Sequence, residues 1–355
     1  MGTYNFNFHH VCASHDIIVD DDFVQYPGAL TSSVVAAGYA AKDVCEILLA
    51  DGEYASYLPV TVKSDYVVLG GQSKEGTLVK NVRSYTNNPV FFFNSLGGTL
   101  RDVTLSCGDY NYYALEMVNN DITVENIDIK PLPGYEQVAG AIKGNGTNMA
   151  MRNITLSNSI RGFDFGASGS IIEECIINTE FQAIEMRGDN NIARNNIITT
   201  DYHRAITMSS AYNGNGDHIL ENNHITLTGE YLSADYGVIE MSKYGSATNT
   251  TSSFIRHNTI VSAANNPAIY VNIGNPPSNI FVENNRYTCT YANGGKAITF
   301  NAGRTDGSSS IIVRNNIFDG LCSNDAITFS GADGVVEGER FALYNNNFLM
   351  SPSAI

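Results

Sequence analysis

Hydrophobic and polar positions form a short unit that returns along most of the chain, from about residue 80 to the C-terminus. Each copy runs apolar residue, charged residue, polar residue, then Asn or an apolar residue, as in MRNI, LENN and VRNN. The charged slot falls at positions 80, 101, 125, 152, 173, 194, 221, 256, 283 and 314, and Tyr344 fills the last copy. Because the pattern stays fixed while its spacing varies by whole loops, it predicts stacked coils with insertions on the outside.

A second frame of alternating apolar and polar residues precedes most copies, as in GFDFG, QAIEMR and KAITFN. Such short alternating runs predict β-strands, and Gly and Asn at the corners take the place of the hairpin turns that a sandwich would need. Two or three strands per coil, with no helical periodicity, predict an all-β, single-domain, right-handed parallel β-helix of about 10 to 11 coils.

The N-terminal region departs from the repeat. Residues 28–54 begin with an Ala-rich amphipathic stretch, which predicts a helix from about Ser32 to Ala41. Such a helix would cover the open end of the stack and hide its unpaired strand edges. We therefore divide the chain into a cap segment with the helix and a first strand (1–54), the β-helix (55–350) and a short tail (351–355).

The repeat resembles that of the pectate-lyase-like β-helix superfamily, over residues of about 55 to 350. The resemblance implies the fold but leaves the chemistry open, because this superfamily includes lyases, hydrolases, epimerases, esterases and phage tailspikes.

Two rows of the repeat have a structural explanation if coils stack at the parallel-strand spacing of about 4.8 Å. One is a charge ladder that alternates in sign, so that every charge has opposite neighbours. Its members are Arg101, Glu125, Arg152, Glu173, Arg194, Glu221, Arg256, Glu283 and Arg314. The other is an interior corner row that resembles the asparagine ladder of pectate lyases. It runs through Val82, Val103, Ile127, Ile154 and Cys175 and continues as Asn196, Asn223, Asn258, Asn285, Asn316 and Asn346.

Composition narrows the function classes. A net charge of −16 argues against a basic nucleic-acid-binding surface, and a hydrophobic content of 43% suffices for a large core. The chain has no run of 18 apolar residues, so no membrane span is predicted. The N-terminus shows no signal-peptide pattern. The six cysteines are far apart in the sequence, which favours isolated buried thiols over a zinc or redox site.

Candidate chemistry lies on the outward positions of the second frame. The repeat aligns Phe92, Glu116, Lys143, Asp164, Glu185, Thr207, Glu240, Tyr270, Thr299 and Thr328. The step from Asp164 to Glu185 places like charges together, which a purely structural row would avoid. Two carboxylates about 5 Å apart suit a retaining glycoside hydrolase, with one as nucleophile and the other as acid/base. We therefore predict Asp164 and Glu185 as catalytic residues, against the alternative of a solvated pair balanced by Lys143 and Arg187.

Substrate-binding residues are expected around this pair. Lysine and arginine near it can hold sugar hydroxyls or carboxylates, and loops rich in Gly, Asn and Tyr often line sugar-binding grooves. The candidates are Lys143, Arg161, Arg187, Tyr202, His203, Arg204, Tyr212, Tyr236, Glu240 and Tyr244.

These observations predict an extracellular or virion-surface protein that cleaves a polysaccharide by hydrolysis, with a polysaccharide or surface glycan as its partner. A non-catalytic glycan-binding or structural module, such as a tailspike or adhesin, is the alternative, and a tailspike would be a homotrimer. A lyase is the second alternative, with Lys143, Tyr202 and Arg204 as candidates for carboxylate neutralisation and base. We predict no required cofactor and no metal-site residues. Calcium is left open as a ligand, although the sequence shows no acidic cage for it.

Overall fold

The structure is a computed structural model that describes residues 17–82, 88–108, 113–201, 204–210, 217–229, 237–243, 251–264, 266–273, 278–291, 296–302, 310–322, 326–331 and 340–352. Nearly all of its regular structure is β-strand, and all described strand pairs are parallel. The helix is α1 (Val34–Ala40), and the strands are β1 (Ile17–Val19), β2 (Glu46–Leu49), β3 (Gly52–Ser56), β4 (Val60–Val62), β5 (Val68–Gly71), β6 (Thr77–Asn81), β7 (Phe91–Phe93), β8 (Thr99–Cys107), β9 (Leu115–Met117), β10 (Thr123–Pro131), β11 (Val138–Gly144), β12 (Ala150–Phe165), β13 (Ile171–Glu173), β14 (Ile176–Met186), β15 (Ile192–Arg194), β16 (Ile197–Thr200), β17 (Ile206–Ser210), β18 (Ile219–Glu221), β19 (His224–Leu227), β20 (Ile239–Lys243), β21 (Thr251–Arg256), β22 (Thr259–Ser262), β23 (Ile269–Ile273), β24 (Ser278–Glu283), β25 (Arg286–Cys289), β26 (Ile298–Ala302), β27 (Ser310–Arg314), β28 (Ile317–Cys322), β29 (Ile327–Gly331), β30 (Arg340–Tyr344) and β31 (Asn347–Pro352).

Each coil contributes strands to three parallel sheets. Sheet 1 contains β1, β2, β5, the first parts of β8, β10 and β12, and then β13, β15, β18, β21, β24, β27 and β30. Sheet 2 contains β3, β6, the later parts of β8 and β10, the middle of β12, the first part of β14, and β16, β19, β22, β25, β28 and β31. Sheet 3 contains β4, β7, β9, β11, the ends of β12 and β14, and β17, β20, β23, β26 and β29. This arrangement confirms the predicted parallel β-helix.

The predicted N-terminal helix is confirmed. The Ser33 side chain caps α1 by accepting a hydrogen bond from the Ala36 backbone at 3.2 Å. The helix packs against β4, the first strand of sheet 3, and Gly38 permits this contact. A Cβ atom at Gly38 would lie 2.9 Å from the Thr61 carbonyl oxygen, so a larger residue would push the helix off the sheet. The domain boundaries remain a prediction.

The charge ladder lies on the outer face of sheet 1 in the predicted register. From Arg101 to Arg314, every member is paired in register with an opposite charge on each neighbouring ladder coil. Glu173 is the best-paired member, with Arg152 Nε at 2.6 Å and Arg194 Nε at 2.7 Å. Burial alone would raise the pKa of Glu173, but the hydrogen bonds from these two arginines outweigh it and lower the pKa.

At the corner that follows the charge ladder, two consecutive residues have different roles: the first turns the backbone, and the second fills the interior. The residue directly after each ladder charge has a positive φ, for example 57° at Asn195 and 56° at Asn222. Asn is among the residues that tolerate this conformation best. The next residue, such as Asn196 or Asn223, is buried and forms the asparagine ladder. Asn196 Nδ2 donates to Asn223 Oδ1 at 2.9 Å, and the Asn196 backbone N–H donates to the same oxygen at 3.2 Å.

One assignment of the repeat is wrong. Lys80 does not occupy the charged slot of the sheet 1 repeat, and Val82 does not belong to the corner row, because β6 belongs to sheet 2. Lys80 pairs in register with Ser106, and the position next to Arg101 in sheet 1 is occupied by Gly70. The segment LVKNV resembles the repeat locally, but its strand follows the corner instead of preceding it. The Lys80 ammonium forms an ion pair with Glu53.

A second buried polar ladder, which the sequence pattern did not reveal, lies at the corner before sheet 1. In each step a side chain accepts a backbone N–H from the preceding coil. Ser170 N donates to Asn191 Oδ1 at 2.9 Å, Asn191 N to His218 Nδ1 at 3.4 Å, and His218 N to Ser253 Oγ at 3.1 Å. His218 Nδ1 acts as an acceptor, so in this arrangement it bears no proton.

The described cysteine side chains agree with the prediction of isolated buried thiols. Cys45, Cys107, Cys175 and Cys289 are buried thiols outside any disulfide bond. Burial raises the pKa of Cys107 and of Cys175 to about 12, so these thiols are poor nucleophiles. In the described part of the chain, no helix is long and apolar enough to cross a membrane.

Candidate functional site

The outward row of sheet 3 forms as predicted. Asp164 pairs in register with Lys143 on one side and with Glu185 on the other, and Glu185 is followed by Thr207 and Glu240. On each side of these residues in the strand, the side chains are apolar and buried, as Phe163 and Phe165 illustrate. The alternation therefore fixes the polar residues on the outer face.

Asp164 and Glu185 form the like-charge step of this row. The strand spacing places their Cα atoms about 4.8 Å apart. Asp164 accepts a hydrogen bond from the Tyr113 hydroxyl at 2.7 Å and forms an ion pair with Arg187. Arg187 Nε also lies 3.9 Å from Glu185 Oε1. One guanidinium thus serves both carboxylates, and this explains how the fold tolerates the repulsion between them.

Lys143 contacts a different carboxylate from the one expected. Its Nζ lies 2.9 Å from Glu116 Oε1, and its ammonium sits 5.7 Å from the centroid of the Tyr113 ring. The interpretation that Lys143 balances Asp164 and Glu185 is therefore not supported by the contacts, because its charge is directed to the preceding coil. Arg187 alone performs that task among the described contacts of the pair.

Glu240 is the most deeply buried carboxyl of the row, with 7% of its surface exposed. Its Oε2 lies 2.9 Å from Arg204 Nε, and its Oε1 accepts a hydrogen bond from Ser242 Oγ at 2.9 Å. Burial raises the pKa of Glu240, and the charge of Glu185 acts in the same direction, whereas Arg204 and Ser242 oppose them. The row therefore combines an arginine-clamped carboxylate pair with a third carboxyl that takes up a proton more readily than usual.

The remaining predicted residues divide into two groups. Arg161 contacts an aromatic ring, with its guanidinium 5.9 Å from the centroid of the Phe181 ring, and the ion pairs given for Asp164 and Glu185 are formed by Arg187 instead. The register partner of Arg161 is Gln182, whose amide donates to Thr207 Oγ1 at 3.0 Å. The second group lies outside the described residues and comprises Tyr202, His203, Tyr212, Tyr236 and Tyr244.

Tyr113 is a functional candidate that the sequence analysis missed. Only 5% of its surface is exposed, yet its hydroxyl reaches two coils along the row to Asp164. It stands three residues before Glu116, outside the alternating frame, so the row alignment could not include it. A tyrosine next to a strand of the candidate row is the one signal that could have indicated it.

Metal-ligand groupings in the described part of the chain lie elsewhere. Asp20, Asp21 and Asp22 bring three carboxylates together directly after β1, on sheet 1. Two backbone N–H groups already bind Asp20, from Asp22 at 3.3 Å and from Tyr26 at 2.6 Å. This arrangement is an Asp-rich turn at the start of the stack, and we assign it no role in the chemistry of sheet 3.

Three solved proteins show the same fold at low sequence identity. The catalytic domain of a GH87 α-1,3-glucanase in complex with nigerose is 15% identical, with a TM-score of 0.54 over 95% of this chain and 68% of that chain. PfbA, a surface adhesin of Streptococcus pneumoniae, is 12% identical, with a TM-score of 0.58 over 90% and 86%. The tailspike gp61 of Pseudomonas phage phi297 is 9% identical, with a TM-score of 0.54 over 86% and 76%. Comparison of the sequence with protein-family models and with curated proteins gives no match.

Proposed function

We propose that the protein binds a polysaccharide across the outer face of sheet 3 and hydrolyses a glycosidic bond at Asp164 and Glu185. The observation that supports this proposal is the register pairing of two partly exposed carboxylates on neighbouring strands. Carboxyl groups about 5 to 5.5 Å apart are typical of retaining glycoside hydrolases. The similar folds include a glucanase in complex with nigerose, a surface adhesin and a phage tailspike, which is consistent with an extracellular or virion-surface location.

The contacts suggest a role for each carboxylate. The Tyr113 hydroxyl and Arg187 hold the Asp164 carboxylate in a fixed position, so we assign Asp164 as the nucleophile that attacks the anomeric carbon. Glu185 makes the looser contact with Arg187 and would protonate the leaving oxygen. It would then take a proton from the water that hydrolyses the glycosyl-enzyme.

A non-catalytic glycan-binding module is the second candidate, and one observation favours it. Arg187 and Tyr113 satisfy Asp164 within the protein, as a purely structural pair would require. In this case the sheet 3 row would bind sugar hydroxyls without cleaving the chain, and a tailspike-like protein would form a trimer.

The test is a panel of neutral and acidic polysaccharides, followed for new reducing ends and for unsaturated uronates. Reducing ends alone support hydrolysis, both signals indicate a lyase, and binding without either signal indicates the module. In a hydrolase, D164N and E185Q are each expected to lower kcat by about a hundredfold or more. D319N is the matched control, because Asp319 is a carboxylate on sheet 2 that pairs with Arg286 at 3.4 Å. Full activity in both D164N and E185Q would refute the site assignment.

A further inference from the structure

A groove on sheet 2 lies away from the carboxylate row. It has a volume of about 770 Å³, within the range of small-molecule sites in proteins. Its floor is formed by outward residues of β6, β8 and β10, and its wall by the segment 131–136, which links β10 to β11. The groove therefore belongs to the N-terminal coils, whereas the proposed catalytic pair is on sheet 3.

The wall of the groove is held in place by a tight turn. Tyr135 N donates to the Leu132 carbonyl at 3.0 Å, and Gly134 between them has a φ of 93°. Pro133 followed by a glycine of positive φ is the signature of a type II turn. The Leu132 N–H donates to the Cys107 carbonyl at 3.0 Å, which ties the turn to the preceding coil. The Tyr135 ring packs on Gly108, where a Cβ atom would lie 3.1 Å from the ring.

The floor of the groove contains a buried hydroxyl that lacks a partner. Ser106 is 1% exposed, and within the described residues its Oγ has no hydrogen-bond partner. It lies in register between Lys80 and Lys130, both of which line the groove. A buried hydroxyl without a partner is costly, so a ligand that supplies one would be bound selectively.

The lining indicates the chemical class of this ligand. Two lysines, Lys80 and Lys130, face two glutamates, Glu53 and Glu136, so the formal charges of the groove cancel. Hydroxyl and amide groups of Ser157 and Asn158 add donors and acceptors. Leu78, Pro131, Leu132, Pro133 and Tyr135 supply the apolar surface. A balanced set of polar groups beside an aromatic ring suits the hydroxyls and C–H faces of an uncharged sugar.

We propose that this groove is a second, non-catalytic site that binds a neutral oligosaccharide, with its sugar ring against Tyr135 and a hydroxyl group bonded to Ser106. The site does not depend on the chemistry of sheet 3. It would hold a polysaccharide on one face of the β-helix while another part of the same chain reaches the carboxylate row.

Binding is measured by calorimetry with linear glucose tetrasaccharides of α-1,3, α-1,4, β-1,3 and β-1,4 linkage, and with an oligogalacturonate of equal length. The protein is the full chain carrying E185Q alone, which removes the proposed acid/base but keeps the contacts of Asp164 with Tyr113 and Arg187. At least one neutral tetrasaccharide is expected to bind with little dependence on salt. Y135A is expected to weaken this binding by about tenfold, and S106V by about threefold or more.

Two controls separate a ligand site from a structural role. S106V is expected to leave the melting temperature unchanged or higher, because the serine hydroxyl has no partner to lose. T288V makes a similar substitution on sheet 2 outside the groove and is expected to leave affinity unchanged. Failure of all neutral tetrasaccharides to bind, binding that Y135A and S106V leave intact, or preference for the oligogalacturonate would each overturn the proposal. Loss of hydrolysis in the sheet 3 variants would not contradict the sheet 2 binding site, because the two sites are separate.

Discussion

Replacing Asn258 in the middle of the asparagine ladder is expected to cost the protein much of its stability. Asn258 Oδ1 accepts hydrogen bonds from the Asn223 backbone N–H and from its side-chain amide, both at 3.0 Å. Asn258 Nδ2 donates to the Leu220 carbonyl and to Asn285 Oδ1, also at 3.0 Å. All four bonds lie in a corner where Asn258 is 1% exposed.

The magnitude follows from the number of bonds and their burial. Each hydrogen bond contributes about 1 kcal/mol net, so N258A is expected to lower the free energy of unfolding by about 4 kcal/mol. Donors and acceptors left without partners inside the coil add to this cost, because water cannot reach them. A loss of this size in the free energy of unfolding lies near the upper end of the losses that single substitutions cause.

Asn346 provides the matched control at the end of the same ladder. It also accepts from the preceding asparagine, with Asn316 Nδ2 at 2.9 Å, but it is only partly buried. Water can replace its lost bonds, so N346A is expected to cost about 1 kcal/mol. Urea unfolding followed by circular dichroism and by tyrosine fluorescence measures both values. Equal losses in N258A and N346A would refute the argument that burial of the ladder makes its bonds valuable.

Three further predictions concern charge and packing. The pKa of Glu173 is lowered in the folded protein, so its ionised form stabilises the fold above the unfolded pKa of about 4.3. E173Q should therefore reduce the melting temperature at pH 7. The difference in melting temperature between the wild type and E173Q should become smaller as the pH falls through the folded pKa. The pKa of Glu240 is raised, so the wild type should lose stability as the pH rises through that pKa, while E240Q should not; melting curves across pH test this. G188A should lower the urea midpoint because its Cβ would lie 2.1 Å from the Ala167 carbonyl oxygen, whereas G28A, with no atom within 4 Å, should not.

The rows could be predicted from sequence because the stack repeats by translation. Once coils are aligned on the ladder, a residue such as Glu125 must lie beside Arg101 and Arg152, whatever the loops between them do. The same logic placed Asp164 next to Glu185. It failed at Lys80, because a five-residue match cannot tell the strand before a corner from the strand after it.

Contacts within a row could not be predicted in the same way. Register places Lys143 equally near Glu116 and Asp164, and the direction of the flexible side chain decides between them. Tyr113 and His218 lie where no repeated residue type marks the position. The partnerless hydroxyl of Ser106 depends on the fold of the 131–136 segment over it, which only the three-dimensional arrangement reveals.

A translational stack has a consequence for where function can lie. Because each outward position repeats about every 4.8 Å, a row is stable when its charges alternate or are absent, as in the ladder of sheet 1. A like-charge step must be offset locally, and at Asp164 and Glu185 the fold supplies Arg187 and Tyr113 for this purpose. If the fold does not depend on the pair, replacing both carboxylates by amides should cost little stability, since the repulsion would vanish together with the ion pair. A D164N E185Q double variant that is as stable as the wild type but inactive on polysaccharide would therefore show that the like-charge step is retained for its chemistry. Severe unfolding of the same variant would show that the arginine clamp belongs to the scaffold.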